Sequence, residues 1–184
     1  LKANKFRFSL VTNNSTRSTD QCVLKCQELG LPVTQLKNDV ICSSYVAAKY
    51  LQGKNIHGPV YVVGEQGIGL ELDKVGIAHF GIGTSAVLVG FDSLINYRKI
   101  LKATNYILNG CPFYATNDDA LFPTEDIALP GTGCIVECLK KASGITPIIM
   151  GKPYSPIFEI LSSQNNIDPK STLMVGDRLA FLLF

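Results

Sequence analysis

Charge of one sign is the first thing this 184-residue chain lacks. Seventeen Lys and Arg against fifteen Asp and Glu leave a net charge of +2, with no basic stripe, so a nucleic-acid partner is not expected. Long apolar runs are also missing. None reaches the ~18 residues of a membrane span, and no secretory signal opens the chain. No membrane partner is expected, and the expected location is cytoplasmic. Histidine is scarce, with His57 and His79 in turn-like contexts. Cys22/Cys26 and Cys134/Cys138 are four apart on expected helices. Without histidine partners, the six cysteines read as reduced thiols packed as small hydrophobes rather than as zinc ligands. A nucleotide loop is lacking too. Gly64, Gly67 and Gly69 follow G-x-x-G-x-G, not G-x-G-x-x-G, and read as a structural turn. Repeats and low-complexity tracts are absent.

What is present is a globular composition, 46% hydrophobic and 17% charged, enough for one ordinary domain or two small ones. Strand and helix signals alternate. Residues 6–12, 59–64, 86–92, 113–117, 146–151 and 172–177 read as strands. Between them, helices are expected from Ser18 to about Leu29, over 42–53, in part over 65–76, over 97–110, within 130–144 and over 156–164. Ser18 with Gln21 forms a capping-box signature, and Ser155-Pro156 suits an N-cap and N1 pair. Strands separated by helices argue for α/β with mainly parallel sheets. Polar residues then cluster at strand carboxyl ends: Thr12-Asn13-Asn14, Asn117-Asp118-Asp119, Lys152 and Asp177. In open α/β sheets that is where ligands sit.

Three of these tips carry chemistry. In "VTNNST", hydroxyls, amides and backbone N–H groups suit a phosphate or another oxyanion, although an Asx turn joining strand to helix has the same composition. In "IIMGKP", a Gly and a Pro bracket Lys152, which would hold its ammonium near the sheet end to neutralise phosphoryl oxygen. A plain surface lysine is the alternative. In "LMVGDR", Asp177 could bind Mg²⁺, which prefers carboxylate oxygen, or simply cap a helix.

Taken in order, "VTNNSTRS", "GKP" and "VGDRL" resemble the haloacid dehalogenase superfamily of phosphatases. "VYVVGE", "VLVGFD", "NYRKILKATNYIL", "ATNDDALFP" and "PGTGC" lie between them. They make the chain similar to the branch of phosphoglycolate, pyridoxal phosphate and 4-nitrophenyl phosphatases. The resemblance covers residues 1 to 179. It implies a Rossmann-like α/β core, residues 1–56 and 148–184, with an inserted α/β cap, residues 57–147. Thr12 would hold the transferring phosphoryl group with help from Asn13 and Asn14. Lys152 would bind phosphate, and Asp177 would be a ligand of the Mg²⁺ cofactor. Asn117, Asp118, Asp119 and Phe122 would face the pocket from the cap. A histidine stands at the Phe122 position in the pyridoxal phosphate branch, so a small phosphorylated acid is the favoured substrate. The resemblance leaves room for a homodimer through the cap.

Two parts of the family pattern are missing. No Asp-x-Asp occurs anywhere in the sequence, so the nucleophile and the general acid are absent. The Thr-Asp pair expected after "GDRL" is replaced by Phe181-Leu182. The first residue is Leu, not Met. These departures lead to the expectation of a fragment whose core lacks its central strand. Its turnover by itself would be negligible, and the alternative role is phosphate binding or cap-mediated interaction.

Overall fold

The computed structural model describes residues 8–31, 33, 39–56, 58–124, 126–165 and 167–176. Two short parallel strands come first, β1 (Leu10–Thr12) and β2 (Val40–Cys42), joined through α1 (Thr19–Glu28). Helix α2 (Ser43–Gly53) leads into β3 (Val60–Val63), α3 (Gln66–Lys74), β4 (Ala86–Val89), α4 (Tyr97–Leu108) and β5 (Phe113–Ala115). A hairpin of β6 (Leu121–Phe122) and β7 (Leu129–Pro130) follows, then α5 (Thr132–Ser143), β8 (Ile148–Ile149) and α6 (Ser155–Asn165). The order β3-β4-β5-β8 makes a four-stranded sheet, parallel throughout. The chain is therefore α/β, as expected.

The sequence of the sheet explains its layers. Strand β4 reads Ala-Val-Leu-Val, and all four residues are buried. A parallel strand covered on both faces has no polar side, hence no alternation. One face, with Val60, Ala86 and Leu88, packs on Val46 and Leu51 of α2, Ile68 and Leu72 of α3, and Ile157 of α6. The other, with Val63, Val87 and Val89, packs on Ala103 and Ile107 of α4 and on Ile135 and Leu139 of α5. The residues flanking the expected boundaries at 56/57 and 147/148 are thus packed into the same layers: α2 and α6 share their core with β3 and β4, and β8 extends the β5 edge.

Helix α1 begins as its sequence dictates. The Gln21 N–H donates to Ser18 Oγ and the Ser18 N–H donates to Gln21 Oε1, completing the capping box. Its first turn also meets α3. Glu71, 1% exposed, accepts the Thr19 N–H at 2.6 Å and the Lys74 ammonium at 2.9 Å. Of the glycines read as a turn at 64, 67 and 69, Gly67 and Gly69 lie in the opening of α3, where a Cβ would meet the Arg17 backbone at 2.4 Å and the His79 ring at 2.7 Å.

Several expected elements differ. Of 6–12, residues 10–12 pair and residues 6 and 7 lie outside the described residues. Strand β2 is not expected from the sequence; only its last residue, Cys42, falls in the helix expected over 42–53. The β6–β7 hairpin was not expected; two residues per strand leave too little pattern to detect. Helix α6 includes Ser155, the expected N-cap. The strand expected over 172–177 is not formed by its described part, 172–176. Leu173 and Val175 are 85% and 84% exposed, and a segment with no paired neighbour among the described strands makes no ladder. None of the described helices is long and apolar enough to cross a membrane.

The buried Glu71 yields a test. Glu71→Ala leaves the Thr19 N–H without its acceptor, and should lower unfolding stability by about 2 kcal/mol. Glu71→Gln keeps an oxygen there and should cost clearly less. Urea denaturation of both variants checks the order; equal losses would deny Glu71 a capping role.

Candidate active site

Strands of a parallel sheet point their carboxyl ends the same way, so loops from separate strands can meet. Here the loops after β4, β5 and β8 of the four-stranded sheet meet the loop after β1 of the two-stranded one. They enclose a cavity of about 330 Å³, lined by Thr12, Asn13, Asn14, Ser15, Phe91, Asn117, Asp119, Leu121, Phe122, Thr132 and Lys152, among others.

The loop after β1 is wound by its own side chains. The Asn14 N–H donates to Thr12 Oγ1 at 3.1 Å, and Asn14 Oδ1 accepts from the Thr16 N–H and hydroxyl at 2.8 and 2.7 Å. The Asx turn and the anion-binding composition are therefore features of one loop, not alternatives. Asn13 joins the loop to the others. Its Oδ1 accepts the Lys152 N–H at 2.7 Å, and its Nδ2 donates to the Lys152 carbonyl at 2.9 Å and to Asp119 Oδ2 at 3.1 Å. The Asn13 carbonyl accepts from Ser43 Oγ at 2.6 Å and from Asn117 Nδ2 at 2.8 Å.

Lys152 is held at both ends. Its ammonium donates to the Val11 carbonyl at 3.0 Å, at the tip of β1. Gly151 before it has no room for a side chain: a Cβ would lie 2.7 Å from Asn13 Oδ1 and from the Thr116 carbonyl. Pro153 follows through a cis peptide.

From the other side, the Asp119 N–H donates to Asn117 Oδ1 at 3.2 Å. Helix α5 opens beside this tip, where a Cβ on Gly133 would lie 2.4 Å from the Asp118 carbonyl oxygen. Phe122 stacks at 4.5 Å on Phe91, at the end of β4, so one cavity wall is aromatic. Asp118 is not among the lining residues and accepts the Tyr154 hydroxyl.

The structure thus brings seven sequence-indicated residues to one cavity: Thr12, Asn13, Asn14, Asn117, Asp119, Phe122 and Lys152. Asp118 is adjacent, and Asp177 lies outside the described residues. Sequence reading missed Ser15, Ser43, Phe91, Thr132 and Tyr154. The Gly-rich turn before α5 and the end of "VLVGFD" were signals for Thr132 and Phe91; nothing local marks Ser43. Among the described residues no three His, Cys, Asp or Glu converge as metal ligands. Asp119, a carboxylate in the lining, already accepts from Asn13. The described residues alone do not fit a metal ion.

Chemically, a lysine ammonium, two hydroxyls and a tightly wound loop at one end suit an oxyanion. The aromatic wall suits an apolar portion of the same ligand. The Asp118–Tyr154 contact can be titrated. The phenol is pushed up to about 12, first by donating to the Asp118 carboxylate and then by burial. The folded state prefers the protonated phenol. That contribution to stability is present below the ordinary value near 10 and is lost as pH rises towards 12. Difference ultraviolet titration of the unsubstituted chain against Tyr154→Phe should show one tyrosine ionising near pH 12. Asp118→Asn should bring that ionisation down; an unchanged curve would deny the contact.

Comparison with known proteins gives a concordant result. A family model described as "Haloacid dehalogenase-like hydrolase" matches residues 1–78. A glycerol-3-phosphate phosphatase of Gallus gallus is 36% identical over 94% of this chain and 63% of its own length. The 5'-nucleotidase YutF of Bacillus subtilis is 34% identical over 98% of this chain and 70% of its own. Among solved structures, a p-nitrophenyl phosphatase from Archaeoglobus fulgidus superposes with a TM-score of 0.92 at 30% identity, covering 98% of this chain and 69% of that one. A glycerol phosphate phosphatase of Mycobacterium tuberculosis in complex with magnesium gives 0.85 at 31% identity, covering 95% and 53%. The chain thus spans less than two thirds of the length of the chicken relative.

Proposed function

The chain belongs to the haloacid dehalogenase-like hydrolases, and from that premise we propose that its cavity is the phosphate and leaving-group site of a phosphoric monoester hydrolase. The observation that carries this is the meeting of the Thr12–Asn14 loop with Lys152 at one end of the cavity. Thr12 and Asn14 cradle the phosphoryl oxygens, and the Lys152 ammonium neutralises them as charge develops in transfer. Residues 57–147 act as the cap, and Asn117, Asp119 and Phe122 present their side chains to the leaving group.

The substrate is a small phosphorylated metabolite. Phosphoglycolate is one member of that class, and relatives named for glycerol 3-phosphate, phosphoglycolate and 4-nitrophenyl phosphate support it. Mg²⁺ is the proposed cofactor, with Asp177 among its ligands; the magnesium complex of the mycobacterial relative supports this. Mg²⁺ would supply charge neutralisation at the phosphoryl group. A cytoplasmic location accords with six free thiols. A second copy pairing through the cap accords with the exposed Tyr97, Leu101 and Leu108 on the outer side of α4.

The second reading is a site that holds phosphate without turning it over, favoured by the lack of any Asp-x-Asp in the sequence. Inorganic phosphate titrated calorimetrically should bind the 184-residue chain, and Lys152→Ala should weaken it about tenfold or more, as expected for loss of a charged hydrogen-bond donor. No binding would sink both readings. Hydrolysis of 4-nitrophenyl phosphate with Mg²⁺, well above the Lys152→Ala variant, would favour the enzyme; binding alone would favour the second reading.

A further inference from the structure

We infer that Asn13 is a positioning residue, which serves the phosphate site by fixing Lys152 and Asp119 rather than by touching the phosphoryl group. The inference rests on the phosphate reading of the cavity given above.

The geometry is that of a strand pairing made by a side chain. A backbone residue offers one N–H and one carbonyl, and a carboxamide offers the complementary acceptor and donor. Asn13 uses both on the same residue, Lys152, at 2.7 and 2.9 Å. Its second Nδ2 proton is directed to Asp119 Oδ2 at 3.1 Å. Both amide hydrogens are then committed to protein acceptors, and the side chain has no donor left for phosphate. Asn13 is 8% exposed, so its partners cannot easily be exchanged for water.

The clamp is itself clamped. The Asn13 carbonyl takes two donors, Ser43 Oγ from the start of α2 and Asn117 Nδ2 from the β5 tip. Gly151 supplies the close approach, since a Cβ there would meet Asn13 Oδ1 at 2.7 Å. Asn14 next door has a different task, shaping its own turn through Thr16. Of two consecutive asparagines in "VTNNST", one winds the loop and the other ties it to the lysine and to the opposing strand tip. Both could be exchanged for aspartate without a change of shape, but aspartate at position 13 would lose the donors and face Asp119.

A double-mutant cycle on phosphate affinity tests this, using inorganic phosphate and the full 184-residue chain. If Asn13 acts through Lys152, Asn13→Ala and Lys152→Ala each weaken binding about tenfold. The double variant is then no weaker than Lys152→Ala within about twofold. Effects that multiply in the double variant would mean direct contact and overturn the inference. So would an Asn13→Ala chain that binds like the unsubstituted one. Asn13→Ser offers a second, smaller polar variant for the same cycle. Independently of any variant, amide exchange at Lys152 in the unsubstituted chain must be slow, and rapid exchange would overturn the clamp. Binding weakened by Lys152→Ala but not by Asn13→Ala would sink this inference alone. Failure of the unsubstituted chain to bind phosphate would sink the phosphate reading, and this inference with it.

Discussion

One buried carboxamide ties together three chain segments that come from two separate sheets. Strand β1 belongs to one parallel pair, and β5 and β8 belong to a separate four-stranded sheet. A ladder of backbone bonds fixes strands within a sheet but does not place a second sheet against it. Asn13 supplies most of that connection, with bonds to Lys152, Asp119, Ser43 and Asn117, and the Lys152 ammonium adds one to the Val11 carbonyl. In a low-dielectric setting each such bond is strong when made and costly when broken. The loops around the cavity are therefore defined by a small polar network and not by the apolar core beneath them.

That core explains why the network can be so small. Val46, Leu51, Ile68, Leu72, Leu88 and Ile157 are each fully buried in one cluster that spans α2, α3, α6 and the sheet. Burial of this kind contributes about 25 cal/mol for each Å² removed from water. It fixes the frame to which the loops are attached. Glu71 adds a polar tie at the first turn of α1, where its carboxylate receives the Thr19 N–H. The frame is apolar and generic, while the ties are polar and specific to single side chains.

The division between frame and ties is also the division between what was legible in the sequence and what was not. Apolar, β-branched runs at 59–64 and 86–92 announced β3 and β4, and Ser18 with Gln21 announced the start of α1. Site residues at strand tips, such as Thr12, Asn117 and Lys152, were legible because polar residues at the carboxyl ends of strands in an α/β chain mark ligand positions. Strand β2 was not, since three residues running straight into a helix have no period of their own. The expected strand at 172–177 had the right composition, but pairing depends on a neighbour, and for 172–176 the described structure has none. Ser43 and Tyr154 were illegible for a related reason. Each acts through one partner more than 25 residues away in sequence, Asn13 and Asp118, and no local pattern encodes such a meeting.

The glycines at 151 and 133 set terms for any change in what the cavity accepts. Each lies where an added methyl group would collide with fixed oxygen, one against Asn13 and Thr116 and the other against Asp118. Neither position can drift to another residue without moving the loop that carries the polar contacts. The side chains of Phe91, Leu121, Phe122 and Pro123 line the same cavity and, being apolar, make none of the side-chain hydrogen bonds that fix it. Variation in ligand preference, by natural divergence or by laboratory selection, has its open route along that apolar wall, while the anion end stays as it is.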